Sequence, residues 1–329
     1  MKGRAVLAWI AAAIPACAQT VVLGAGYATP GPVTVAPGHV ITIFARVPDK
    51  TPSSPVVASP PLPSTLGGFA VILRQTFPSD PQQVPILSVA DSQTCSIVTP
   101  LVCDTVSMIT VQVPFELTAN SPRTSLPQTT GPENFARLEI SYNGAATSFL
   151  VLNPLPDSIH VLNACDIAAN PAGTASPPAS GCVPLVARPD GSFVSSNNPA
   201  APGEALAVSL VGMGLADTPV ATGAAAPQQP PAIDNVMFSV DSRVNAPPSM
   251  PLPGSSTAVQ SAQFQAGAVG IYTVTLMAPS LPSGAPVCSP LVRSNATINI
   301  TRNASFDGVG ICVAVSPVSQ TIRRRNVVE

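Results

Sequence analysis

The sequence predicts an all-β protein built of two tandem β-sandwich domains, and three observations carry that expectation. Its 40 prolines and 22 glycines fall in clusters. Short apolar runs between the clusters alternate with period two, and the second half of the chain echoes the first. Proline removes a backbone donor and clashes with the preceding helical turn, so a chain this rich in it cannot sustain helices. Glycine and proline at the breaks supply turns instead.

The runs are Val40-Ile41-Thr42-Ile43-Phe44, Phe69-Ala70-Val71-Ile72-Leu73, Met108-Ile109-Thr110-Val111-Gln112-Val113, Ala136 to Tyr142, Leu206 to Leu210, Tyr272 to Leu276 and Thr297 to Thr301. Alternation sends successive side chains to opposite faces, which predicts half-buried strands. Beyond the first residues, no stretch keeps a 3.6-residue apolar period. The Pro-rich stretches 51–64, 218–232 and 247–256 read as surface loops.

The echo sets the domain count. Ala36-Pro37-Gly38-His39 opens one run, and Ala201-Pro202-Gly203-Glu204 opens another 165 residues later. Val111-Gln112-Val113-Pro114 is matched in pattern by Val274 to Pro279, and Glu139 to Asn143 more loosely by Asn299 to Asn303. Repeats this long predict two domains rather than a solenoid. The expected boundaries are 19–154 and 155–318, meeting at the proline-stiffened Asn153-Pro154-Leu155-Pro156. Residues 319–329, with Arg323-Arg324-Arg325, are expected to form a flexible basic tail.

Residues 1–18 read as a secretory signal peptide. Lys2 and Arg4 precede an uncharged apolar run from Ala5 to Ile14, Pro15 breaks it, and Ala16-Cys17-Ala18 places cleavage between Ala18 and Gln19. The run is about half of the ~20 residues that cross a bilayer, which argues against an anchor. Lipidation at Cys17 is a second alternative, for which Pro15 is poorly suited. Export to the extracellular space or cell surface, or to the periplasm, is the expectation, with no transmembrane span in the mature chain. Cleavage removes Lys2 and Arg4 from 14 basic residues, leaving 12 against 16 acidic ones, a net charge of −4. Nucleic acid, which needs a basic face, is excluded as a partner.

Cleavage also turns seven cysteines into six: Cys95, Cys103, Cys165, Cys182, Cys288 and Cys312. An even count in an oxidising compartment reads as disulfides. The cysteines sort into neighbouring couples beside turn-rich segments, so the expected bridges are Cys95–Cys103, Cys165–Cys182 and Cys288–Cys312. Redox catalysis would want Cys-x-x-Cys spacing, and zinc would want knuckle spacing with more than two histidines.

Candidate chemistry is sparse. A serine hydrolase needs a base beside its nucleophile, but only His39 and His160 exist, without a Gly-x-Ser-x-Gly elbow. Glycosidases need two facing carboxylates, and no motif singles out a pair among 16 acids. There is no calcium loop and no phosphate loop, and no cofactor is expected. Sugar-binding sandwiches stack their ligands on exposed rings. Trp9 leaves with the signal, and only Tyr27, Tyr142 and Tyr272 remain. The triplets at Asn295, Asn299 and Asn303 satisfy the N-glycosylation pattern but read as Asn/Thr-rich strand surfaces.

The stretch from Arg188-Pro189-Asp190-Gly191-Ser192-Phe193 through Asn197-Asn198-Pro199 to Ala201-Pro202-Gly203-Glu204 resembles the signature of a secreted acidobacterial family, the Solibacter-type C-terminal domains. Gly212-Met213-Gly214 is similar to the family's Gly-x-Gly turn. Val35 to Phe44, Ile109 to Pro114 and Ser141-Tyr142-Asn143-Gly144 are similar to its first-half segments. Ala45-Arg46-Val47-Pro48-Asp49 departs from the family's glycine-rich turn, and the segments carrying Cys95/Cys103 and Cys165/Cys182 look like insertions. The resemblance implies immunoglobulin-like sandwiches on secreted proteins of unknown function, with no catalytic residues. Asp190-Gly191 also reads plainly as a turn, with a ligand loop around Asp190 and Asn197 as the functional alternative.

The expected function is therefore a non-catalytic exported structural or adhesive protein presenting loops to an extracellular protein or matrix. A carbohydrate-binding accessory module, with a polysaccharide partner, is the alternative. An unrecognised hydrolase is the remote one.

Overall fold

The computed structural model describes residues 20–47, 50–95, 103–120, 134–169, 182–252 and 254–315. The side chains of 93–104 and 146–148 fall outside that description. So do the signal segment, the Ala18–Gln19 cleavage point and the 319–329 tail. The described chain is all β apart from one 3-10 turn at Ile167–Ala169.

Fourteen strands carry the architecture. In the first half they are β1 (Val21–Gly26), β2 (Val40–Arg46), β3 (Phe69–Gln75), β4 (Ile86–Cys95), β5 (Cys103–Gln112), β6 (Ala136–Tyr142) and β7 (Ala145–Leu152). In the second half they are β8 (His160–Val161), β9 (Ala205–Val211), β10 (Met237–Asp241), β11 (Ser261–Phe264), β12 (Ile271–Met277), β13 (Ala296–Thr301) and β14 (Phe306–Ile311). Two-residue strands flank several of them.

All pairings among these strands are antiparallel. The first half forms sheets β1-β2-β5-β4 and β3-β6-β7, and the second forms β8-β9-β12-β11 and β10-β13-β14. Each strand of the second set stands where the strand seven places earlier stands in the first. Four strands facing three in this order is the constant-type immunoglobulin arrangement. The sequence echo lands on equivalent places: Ala36-Pro37-Gly38-His39 leads into β2 and Ala201-Pro202-Gly203-Glu204 into β9. β2 then pairs with β5, as β9 pairs with β12.

Each half closes over its own core. Ile41, Ile43, Val71, Leu73, Ile109 and Leu138 meet in the first, and Leu206, Val208, Val274, Leu276, Ile298 and Ile300 in the second. β6 and β9 keep the expected alternation of buried and more exposed residues. β2 and β13 do not, being buried on both faces. The second half covers the outer face of β2: Val40 packs with Leu162 and Val211, and Phe44 with Ile167. Loop residues cover β13 through Thr297 Oγ1, which donates to the Ala246 carbonyl, and Asn299 Oδ1, which accepts from the Ser249 amide. Asn295 and Asn299 are consequently buried, which corrects the expectation of strand-surface asparagines. Only Asn303 of the three triplets lies exposed.

Cys165 is bonded to Cys182 and Cys288 to Cys312. The β4–β5 register sets Cys95 opposite Cys103, while the side chains of that pair lie outside the described residues. Removing a bridge that spans 17 positions, such as Cys165–Cys182, is expected to cost about 3 kcal/mol through the entropy returned to the unfolded chain. Urea unfolding of a Cys165→Ala/Cys182→Ala double variant measures it.

A candidate functional site at the junction of the sheet pairs

The connector after β7 does not hang free. Val35 brackets it with two backbone hydrogen bonds, its amide donating to the Asn153 carbonyl and its carbonyl accepting from the Leu155 amide. Thr34 Oγ1 and Ser158 Oγ lie 2.6 Å apart. Further along the junction the Gly223 amide donates to Gln112 Oε1 at 2.7 Å, and the Phe115 and Phe264 rings meet edge to face at 5.9 Å.

At its centre the fold gathers both histidines. Tyr27, just past the end of β1, stacks flat on His160 of β8, with centroids 3.5 Å apart and planes 7° apart. The Tyr27 hydroxyl lies 3.0 Å from His39 Nε2, at the entry to β2. His160 Nε2 lies 2.9 Å from Asp166 Oδ2, and its Nδ1 lies 3.4 Å from Asp307 Oδ2. Each carboxylate is itself anchored, Asp166 by the Asn163 amide and Asp307 by the Val161 amide.

Burial sets the charge states. Desolvation, reinforced by the positive charge of His160, lowers the His39 pKa to about 3, so this ring is neutral. Burial opposes charging His160 as well, but hydrogen bonds to Asp166 and Asp307 outweigh it and raise its pKa above the ordinary value. Burial, then the fields of Asp307 and Asp166, pushes the Tyr27 phenol upward and keeps it protonated. An imidazole whose pKa is lowered to about 3 is too weak a base to take the proton of a phenol whose own pKa is raised, so Tyr27 is a poor nucleophile. The cluster is suited to holding two packed surfaces together by ring stacking and by an imidazole held between two carboxylates.

The two histidines pull stability in opposite directions with pH. His39 stays neutral in the fold while the unfolded side chain protonates below about 6.5, so its contribution is lost as pH falls from there toward 3. His160 contributes fully below its unfolded pKa, and that contribution is lost as pH rises through its raised folded pKa. Between pH 6.5 and 4.5 the wild type should lose about 2–3 kcal/mol more than a His39→Gln variant. Denaturant titrations of both proteins at the two pH values check this.

Elsewhere the signature stretch forms a loop organised by Arg188. Its Nε lies 2.8 Å from Glu204 Oε1, and its Nη2 donates to the Asn198 and Pro199 carbonyls at 2.9 and 2.7 Å. Gly191 takes φ +83°, as the turn reading requires. Asp190 accepts from the Ser192 amide and hydroxyl, and those bonds hold its carboxyl below the usual range. Nothing in the sequence marks Arg188 as the centre of this loop, because its carbonyl partners carry no side-chain signature.

The other tyrosines are spoken for. Tyr142 leans on Phe69 at 4.8 Å, and Tyr272 is buried with its hydroxyl donating to the Gly214 carbonyl. Exposed rings do exist among the described residues, but they are phenylalanines: Phe77, Phe135, Phe149 and Phe193. Among the described residues, no three His, Cys, Asp or Glu side chains are placed to hold a metal ion, and no helix is long and apolar enough to cross a membrane.

Fold and junction together define the class: an all-β protein of face-to-face antiparallel sheets in immunoglobulin-like order, with its polar chemistry buried where the sheet pairs meet. The two disulfides among the described residues suit an oxidising extracellular or periplasmic environment. No protein-family profile matches the chain, and no curated protein matches it.

Proposed function

We propose that this is an exported, non-catalytic protein whose two β-sandwich domains act as one rigid unit presenting loops to an extracellular protein or matrix. The two-domain division at 154/155, the signal peptide and membership of the Solibacter-type secreted family belong to this reading. One observation carries it: both histidines, with Tyr27, Asp166 and Asp307, are engaged in joining the two halves. Function then resides in the shape and exposed loops rather than in a reactive centre.

The test is binding of the purified 19–329 chain to immobilised extracellular proteins, matrix preparations and polysaccharides. Saturable binding to a protein or matrix component, undiminished in a His160→Asn variant that remains folded, is expected. Hydrolysis of any arrayed substrate that disappears in that variant would overturn the reading, as would binding to no partner. Retention on polysaccharide alone, lost on Phe149→Ala or Phe193→Ala, would replace it with the carbohydrate-binding alternative.

A further inference from the structure

Apart from Lys2, the chain has one lysine, Lys50, and its side chain is buried. It follows β2, and its backbone carbonyl accepts the Thr105 hydroxyl at 2.8 Å. Its ammonium pairs with Asp91 Oδ1 on β4, with side chains only 6% and 0% exposed. The Phe69 and Tyr142 rings close over Nζ at 5.1 and 5.8 Å from their centroids. Lys50 Nζ also donates to Ser107 Oγ at 2.9 Å, and Ser107 Oγ donates to Asp91 Oδ1 at 2.7 Å. The other carboxylate oxygen, Oδ2, accepts from the Ser53 amide and hydroxyl, each at 2.8 Å.

We propose that Lys50 and Asp91 condense after folding into an amide cross-link between Nζ and Cγ. The two oxygens of Asp91 are differentiated as that reaction requires. A proton leaves the ammonium for Ser107 Oγ while the serine proton passes to Oδ1, giving a neutral amine beside a carboxylic acid. The Nζ lone pair attacks Cγ, and charge collects on Oδ2, where two Ser53 donors face it as an oxyanion site does. Oδ1 takes a second proton from nitrogen and leaves as water. Ammonium and carboxylate thus become amide and water, with no change of oxidation state and no co-reactant.

Physical chemistry supplies a driving force. Each ion of a buried pair retains a desolvation cost, which a neutral amide removes while the water escapes to solvent. Proximity replaces a second-order encounter with an intramolecular one. Within the ion pair, burial raises the Asp91 pKa but hydrogen bonds from Lys50, Ser107 and Ser53 lower it further. The neutral pair is therefore a minor state, and the reaction follows folding rather than accompanying it.

Intact mass and peptide mapping of purified mature protein decide the matter. The expected mass is one water below the disulfide-corrected sequence mass, with trypsin failing to cut after Lys50 and a branched peptide joining Lys50 to Asp91. Lys50→Arg should restore the full mass, and Ser107→Ala should slow the loss of water. Wild-type protein at full mass with Lys50 cleaved overturns the proposal, whatever the variants do. A water lost with separate Lys50 and Asp91 peptides overturns it as well.

Discussion

Replacing Asp157 with Ala is expected to destabilise the fold by about 3–5 kcal/mol, because it strands buried backbone donors that share one charged acceptor. The side chain sits in the connector and is fully buried. Its Oδ2 accepts the Asn303 amide at 3.0 Å and the Ala304 amide at 3.1 Å. Its Oδ1 accepts the Ser305 amide at 2.8 Å and the Ser305 hydroxyl at 2.6 Å. That hydroxyl oxygen in turn accepts the Ile159 amide. One carboxylate therefore ties the connector to the turn between β13 and β14. Asp157→Asn keeps one acceptor oxygen and should recover about half of the loss by the same accounting. Equilibrium urea unfolding of the three proteins gives both numbers, and equal loss in Asn and Ala would contradict the hydrogen-bond account.

Gly212→Ala should cost about 2–5 kcal/mol, combining a left-handed backbone penalty with overpacking. Gly212 takes φ +77°, and a Cβ there would meet the Ser158 carbonyl oxygen at 2.0 Å and His39 Cε1 at 3.0 Å. The obstacle is backbone, so it cannot rotate aside. The same residue accepts the Ser158 amide at 2.7 Å, so relief requires moving the connector away from β9. Gly144 is the control: φ is +79° but nothing lies within 4 Å of its would-be Cβ. Gly144→Ala should show the backbone penalty alone, about 1–2 kcal/mol. Similar losses at both positions would show that close packing at Gly212 contributes little.

These two positions illustrate where legibility stopped. Gly212-Met213-Gly214 stood out in the sequence as a turn, but its contact with Ser158 and His39 did not, since those residues are 54 and 173 positions away. Asp157 carried no signal at all: a single aspartate after Pro156 looks like any loop acid until Asn303 to Ser305 are folded against it. His39 and His160 showed no partners in sequence, yet Tyr27 brings them to one cluster. The buried faces of β2 and β13 misled the period-two reading at those strands, because alternation reports one covered face and both of theirs are covered.

What the sequence determined by itself was the β class, most strand positions, the turns and the pairings Cys165–Cys182 and Cys288–Cys312. These follow from local alternation, from proline and glycine, and from cysteine spacing, all of which act over a few tens of residues at most. Tertiary structure alone decided the face-to-face strand order, the polar junction of Tyr27, His39, His160, Asp166 and Asp307, and the burial of Lys50 against Asp91. Each of these depends on which distant surfaces exclude water from one another. A charge or ring takes its chemistry from that exclusion, and no short window of sequence records it.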